Sequence, residues 1–285
     1  MHSIKIQPRT NENMGLTTQQ VNHYIRDGYL IIENCIPHHV CHALMQRANQ
    51  LVQHADLTNI KTVFSTTTQQ HAKDRYFLES GTNISFFFEE KSLNNQGDLL
   101  VDQQLSINKI GHALHELDPL FYCFSHLHQH MQLAEKLGMI DPIILQSMYI
   151  FKQPNIGGEV TCHQDATYLY LHNTTVTGFW FALEDATIEN GCLWAIPGGH
   201  LGKLKSRMIR DANDNIVIEQ YDHTPYDLTA LIPLAVKKGS LVILHGLLPH
   251  MSHENKSGQS RHAYAIHLAS RSDEYAENNW LRRSF

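Results

Sequence analysis

Two places in this chain carry a spacing that metal chemistry can use: His163-Gln164-Asp165 and His54-Ala55-Asp56. A histidine, a carboxylate two residues on and a more distant histidine make a facial triad. Two imidazoles and one carboxylate then cover one side of an octahedral iron and leave the opposite positions open. With 21 histidines and 14 aspartates in 285 residues, roughly one H-x-D is expected by chance, so the motif alone decides nothing. The backbone around each pair does. Residues i and i+2 share a face of a strand but point about 200° apart on a helix. His54 and Asp56 close a stretch of helical period and are expected to form a solvated helix end with its turn. His163 and Asp165 follow a Gly157-Gly158 turn between two strand candidates, where both side chains can converge on one ion.

The third ligand should come from a later strand. The segment 239–268, GSLVILHGLLPHMSHENKSGQSRHAYAIHL, offers His245, His250, His253, His262 and His267. His250 is favoured because Arg261 lies eleven residues beyond it. An arginine there can grip a carboxylate with two parallel hydrogen bonds, as a dicarboxylate co-substrate chelating the metal would require, and Ser252 can add a hydroxyl. The alternative for Arg261 is a surface ion pair. Other clusters weigh less. His112 and His115, and His126, His128 and His130, lie in helical texture without carboxylates in ligand register, which suits helix packing or surface. Trp180 and Trp194 read as core on apolar strands, and Cys162 as a small buried filler.

The elements that must position these residues can be read from periodicity and turn signals. Thr17-Thr18-Gln19-Gln20 looks like a capping box opening a helix with Val21, Tyr24 and Ile25 inward and Gly28 as its stop. Tyr29 to Ile36 follows as a strand. Pro37 starts a second helix carried by Val40, Leu44, Leu51, Val52 and Ala55. Residues 56–102 give no firm pattern, and 105–137 read as helical with a break at Asp118-Pro119. From residue 146 the texture changes to short strands, at 146–153, 178–185, 191–196, 232–236, 240–245 and 262–269. The polar segment 203–230 reads as a long excursion. Helices first and strands second predict a mainly β protein with flanking α: a double sheet of jelly-roll type, buttressed by N-terminal helices, in one domain.

Composition narrows the function classes. The chain is 42% hydrophobic and 18% charged, with a net charge of -6, and its lysines and arginines are scattered. That speaks against nucleic acid and against a polybasic membrane patch. The start, MHSIKIQPRTNENMG, lacks the apolar core of a signal peptide, and the final LRRSF is neither of two common address labels. Five cysteines without a C-x-x-C pair suit reduced thiols in a cytoplasmic compartment. The sequons at Asn83, Asn173 and Asn255 have no meaning there. Dinucleotide-fold, P-loop, zincin and nucleophile-elbow signatures are absent.

Three long blocks, QSMYIFKQPNIGGEVTCHQDATYLY, GFWFALEDATIENGCLWAIPGGH and the segment 239–268 quoted above, resemble the phytanoyl-CoA dioxygenase family. The likeness extends over nearly the whole chain, through DGYLIIENCI, YFLESGTNISFFFEE and SINKIGHALHELDP. It implies a double-stranded β-helix with a catalytic core at about 146–270, Fe(II), 2-oxoglutarate as co-substrate, O2 as oxidant and ascorbate as reductant. Carried over by position, His163, Asp165 and His250 are the iron ligands, and Arg261 with Ser252 holds the far carboxylate of 2-oxoglutarate. Lys109, Met148 and Trp180 match family positions lining that pocket, which moves Trp180 from core to pocket wall. Halogenating relatives replace the carboxylate ligand with a small residue. Asp165 is present, so oxygenation is implied, with hydroxylation of a small molecule and release of succinate and CO2. Leu247-Leu248-Pro249 and the 203–230 segment depart from the family pattern and leave the substrate open. A metal-binding isomerase without 2-oxoglutarate is disfavoured by Arg261. The alternative from another class is a non-catalytic module that senses metal and 2-oxoglutarate.

Overall fold

The computed structural model of the protein describes residues 15–58, 60, 62–64 and 75–283. Most of the N-terminal stretch weighed for a targeting signal, and the last two residues, lie outside that set. The first helix, α1 (Thr18–Asp27), opens with the expected capping box: the Thr17 hydroxyl accepts from Gln20 N at 3.2 Å, and Gln20 Oε1 accepts from Thr17 N at 2.9 Å. Gly28, at φ 79°, ends it and returns its N–H to Tyr24 O. Of the three residues expected inward, Tyr24 is buried but Ile25 is 61% exposed. A ten-residue helix resting on one short strand buries too narrow a stripe to take both. That strand, β1 (Tyr29–Ile32), stops short of Ile36 because Asn34 turns at φ 52°. Next, α2 (His38–His54) buries Val40, Leu44 and Val52, with Leu51 and Ala55 packed partly against the core.

The region without a firm pattern holds β2 (Val63–Phe64), α3 (Arg75–Glu79) and β3 (Ile84–Glu89), the last built on the Phe86-Phe87-Phe88 stretch. Residues 105–137 require a correction. Only α4 (Gln103–Ser106) precedes a fully buried strand, β4 (Ile107–His112), before α5 (Leu114–Leu117), α6 (Pro119–Ser125) and α7 (His128–Lys136) resume the helical run. Pairing on both edges, Lys109 opposite Phe87 on β3 and opposite Ile150 on the following strand, overrides local propensity here. The expected break holds: Asp118 Oδ1 accepts from Leu120 N and Phe121 N and caps α6.

The strand-rich half contains β5 (Pro142–Ile150), β6 (Val160–His163), β7 (Thr177–Ala182), β8 (Leu193–Ala195), β9 (Ser206–Arg210), β10 (Ile216–Gln220), β11 (Ile232–Leu234), β12 (Leu241–His245), β13 (His250–Ser252) and β14 (Ala263–Ser270). The segment read as an excursion therefore carries the β9–β10 hairpin. Among the described residues, one sheet runs β1-β12-β7-β14-β5-β4-β3-β2 and a second runs β11-β8-β13-β6. The two sheets make a jelly roll.

Alternation along β7 and β14 divides the core in two. Phe179 and Phe181, with Tyr264 and Ile266, face Leu44 of α2 and Phe121 and Phe124 of α6. Trp180 and Ala182, with Ala263 and Ala265, face Leu193 and Ala195 of the smaller sheet. The helix side is filled by aromatic and branched side chains, whereas the inner side carries one large aromatic, Trp180, beside the small Gly178, Ala182, Ala263 and Ala265. Interiors are otherwise packed at the density of organic crystals, so small residues in register leave space. That space is a cavity of about 160 Å³ between the sheets.

Candidate metal centre and co-substrate pocket

His163 ends β6, His250 begins β13, and the two are register partners with ring centroids 4.3 Å apart. Each ring turns its Nδ1 to a carbonyl two residues back: His163 to Thr161 O at 2.8 Å, His250 to Leu248 O at 3.0 Å. A carbonyl only accepts, so Nδ1 carries the proton and Nε2 presents a lone pair. Asp165 heads a 3-10 turn directly after β6. Its Oδ1 lies 3.6 Å from His163 Nε2 and 3.7 Å from His250 Nε2, and one donor atom from each residue falls within 4.8 Å of the others.

The charge states suit a divalent cation. Burial works to raise the Asp165 pKa, but nearby His267 and His250, with the hydrogen bond from His267, outweigh it and hold the carboxyl well below its usual value. Burial first, then the neighbouring His163, pushes His250 down to about 4. At neutral pH His250 therefore offers neutral nitrogen and Asp165 anionic oxygen, as metal ligation requires. His54 does not join it. It is exposed at the end of α2 with Nδ1 on Gln50 O at 2.7 Å, while Asp56 Oδ1 caps its own turn at Thr58 N. We expect His163→Ala to abolish tight Mn(II) binding in a calorimetric titration and His54→Ala to leave it unchanged. Equal losses would sink the choice between the two H-x-D pairs.

His267, one of five candidates above, has a different place. Its Nε2 is 3.2 Å from Asp165 Oδ2, and its Nδ1 faces Gln146 Nε2 at 3.2 Å. The amide nitrogen donates to Nδ1, which leaves Nε2–H to hold the second carboxylate oxygen. Gly178 is the register partner of His267. A Cβ there would stand 3.1 Å from Asp165 Oδ2 and 3.5 Å from His267 Nε2, so the close approach needs glycine. Gly178→Val should weaken Mn(II) binding about 10–100-fold, the usual effect of disturbing the support of a metal ligand. Unchanged affinity would show that Asp165 needs no such support.

The cavity runs from this cluster to Arg261. Arg261 is 1% exposed. Its Nε donates to Gly191 O at 3.2 Å, its Cζ lies 5.1 Å from the Trp180 ring centroid, and its Nη1 makes no hydrogen bond. Burial lowers its pKa to about 10, so it stays charged at neutral pH. Among the described residues no carboxylate forms an ion pair with it, which excludes the surface-pair alternative. Met148 and Lys109 line the same cavity from β5 and β4. Lys109 Nζ stands over the Phe64 ring at 3.8 Å, and burial pushes its pKa down to about 7. Ser252 lines it as well, its Oγ accepting from Lys152 Nζ at 2.9 Å. Lys152 carried no signal in the sequence.

The remaining histidine clusters divide. His115 and His130 pack in the interior, the former against Ser147 Oγ at 2.9 Å and the latter between Phe124 and Phe181. His112 departs from expectation: it ends β4 rather than a helix, lines the cavity and places Nδ1 2.8 Å from Ser80 Oγ.

Residues 24–263 match the family model described as Phytanoyl-CoA dioxygenase (PhyH). The chain belongs to the phytanoyl-CoA dioxygenase family. Relatives in this PhyH family include "Phytanoyl-CoA dioxygenase" of Arabidopsis thaliana, 44% identical with 94% of both chains covered. "Phytanoyl-CoA dioxygenase domain-containing protein 1" of Bos taurus is 41% identical, with 94% of this PhyH chain and 95% of the relative covered. Among solved structures, the non-heme alpha ketoglutarate dependent carbocyclase SnoK from nogalamycin biosynthesis superposes with a TM-score of 0.64 at 16% identity, over 93% of this chain and 88% of the other. EctD from S. alaskensis, solved with 2-oxoglutarate and 5-hydroxyectoine, gives 0.63 at 16% identity, over 95% and 82%. At such identities these two structures speak for the PhyH chain's jelly-roll fold alone. Among its described residues no helix is long and apolar enough to cross a membrane.

Proposed function

We propose that this PhyH-family protein is an Fe(II)- and 2-oxoglutarate-dependent dioxygenase that hydroxylates a small molecule and releases succinate and CO2. The observation that carries this reading is one cavity lined by a metal-type donor set and by a buried arginine that, among the described residues, has no carboxylate in an ion pair with it. A buried unpaired cation is costly, and a dicarboxylate bound to the metal would bring it a partner. The donor chemistry fits Fe(II), and the orphaned Arg261 Nη1 fits the distal carboxylate.

His163, Asp165 and His250 would hold the metal, with His267 fixing Asp165. Arg261 and Ser252 would hold the far carboxylate, with Lys109, Met148 and Trp180 as walls. Bound together, iron and 2-oxoglutarate supply the activation of O2 and the oxidation of a substrate C–H bond. The residues of the chain orient the partners and keep bulk water out. Trp180, over the Arg261 guanidinium, excludes water from the carboxylate end. Phe77, Leu169 and Trp280 enclose the other side with apolar surface. The core at about 146–270 supplies every proposed metal and 2-oxoglutarate contact except Lys109. Five free cysteines suit a reducing, cytoplasmic compartment.

Succinate released from 2-oxoglutarate under air, with and without Fe(II), tests the reading across a panel of small metabolites. Iron-dependent succinate that rises with one substrate is expected. Binding of 2-oxoglutarate with no turnover on any substrate would favour the sensing module instead.

A further inference from the structure

Lys152 is a buried cation to which the proposed reaction gives no task. It follows β5 at φ 43°, a left-handed conformation uncommon for lysine, and is 1% exposed. The backbone is pinned there. Its carbonyl accepts from Asn255 Nδ2 at 3.0 Å and from Arg261 N at 3.3 Å. A Cβ on Gly157 would meet the Lys152 carbonyl carbon at 2.9 Å, so the Gly157-Gly158 turn closes tightly over it. Backbone strain of this kind persists only where the surroundings over-determine it, and it gathers at functional sites.

The side chain runs to the carboxylate end of the cavity. Nζ donates to Gly158 O at 2.6 Å and to Ser252 Oγ at 2.9 Å, which uses two of its three protons. Among the described residues no carboxylate forms an ion pair with it. Glu89, the buried acid of this corner, spends Oε2 on Asn108 Nδ2 at 2.9 Å and Gly158 N at 3.0 Å. Glu159 and Glu254 act on Lys152 and Glu184 on Arg261 from the less buried rim, but among the described residues none of these acids forms an ion pair with either cation. A ligand carboxylate would give the two buried cations a direct partner. The hydroxyl of Ser252 adds a directional argument: having accepted from an ammonium, it keeps its own hydrogen to donate.

We propose that Lys152 is a positioning residue for the distal carboxylate of the co-substrate, supplying a second positive charge beside Arg261 and fixing the Ser252 hydroxyl as a donor into the cavity. The inference rests on the 2-oxoglutarate reading above. Lys152 then selects 2-oxo acids with a second carboxylate over those without one. Burial, followed by the charge of Arg261, pushes its pKa down to about 7, so an anion in the corner is what secures the ammonium at neutral pH.

The test is calorimetric binding of 2-oxoglutarate and of 2-oxobutyrate, which lacks the distal carboxylate, to the Mn(II)-loaded full chain. Lys152→Met should weaken 2-oxoglutarate by about 10–100-fold, the effect of losing a hydrogen-bonded charge, and leave 2-oxobutyrate unchanged. A merely structural lysine would weaken both ligands equally, and an idle one neither; each result overturns the proposal. A wild type without preference for 2-oxoglutarate would overturn the co-substrate reading, and this inference with it. Should Lys152→Met fail to fold, Arg261→Met decides. With Lys152 intact it should keep a preference of about tenfold for 2-oxoglutarate, and loss of all preference would show that Arg261 acted alone.

Discussion

Asp165→Ala is expected to lower succinate formation about a thousandfold or more, with iron held in excess. The substitution leaves two imidazoles and removes the one anion of the donor set that offsets the metal charge. It also strands the His267 Nε2–H, which now donates to Asp165 Oδ2 at 3.2 Å, and a buried donor left unpaired costs about 1–3 kcal/mol. Binding of 2-oxoglutarate should fall less, because Arg261 and Ser252 are untouched. Succinate released per enzyme under air, for wild type and variant at saturating iron, is the measurement. Full activity in Asp165→Ala would remove the facial triad and the mechanism with it.

Replacing Arg261 acts at the other end of the cavity and separates two quantities that usually fall together. Arg261→Met should weaken 2-oxoglutarate by about 2–5 kcal/mol, the cost of depriving a buried carboxylate of its charged partner. Mn(II) binding should stay as it is, because Arg261 is not among the donor atoms of the metal cluster. Without ligand, the variant should be at least as thermally stable as wild type. An unpaired buried guanidinium costs folding energy, and an apolar side chain of similar length does not. Calorimetric titration and melting curves, each with and without 2-oxoglutarate, read both effects. If ligand affinity did not change, the co-substrate pocket would have been misplaced.

How far the sequence reached depended on the range of the signal. The two H-x-D pairs could be separated because the difference between a helix end and a strand end is local, and His54 and Asp56 do sit on a helix end and its turn. His250 was singled out through its distance from Arg261 and through the family resemblance, not through local pattern. Its own strand is three residues long, too short for any period. His267 stayed one among five histidines, because its bond to Asp165 depends on the register that sets it opposite Gly178. Lys152 was invisible for a stronger reason: a lysine near the end of the strand candidate 146–153 reads as solvated, and nothing in the sequence announces the left-handed backbone it adopts beyond Ile150. The strand hidden in SINKIGH shows the same limit, since partners on both of its edges chose its conformation.

The two faces of β7 and β14 have unequal duties. On the helix side, Phe179, Phe181, Tyr264 and Ile266 hold most of the apolar surface of these strands. On the cavity side, Trp180 is the one large apolar side chain beside Gly178, Ala182, Ala263 and Ala265. Changes on one face therefore need not trade against the other. A lineage could redraw the shape of the chamber by exchanging small residues, for example Ala265 for serine or valine, while the stabilising face stays intact. Such a scaffold can acquire new substrates without first losing its fold, except at Gly178, where the close approach to Asp165 leaves no room to experiment.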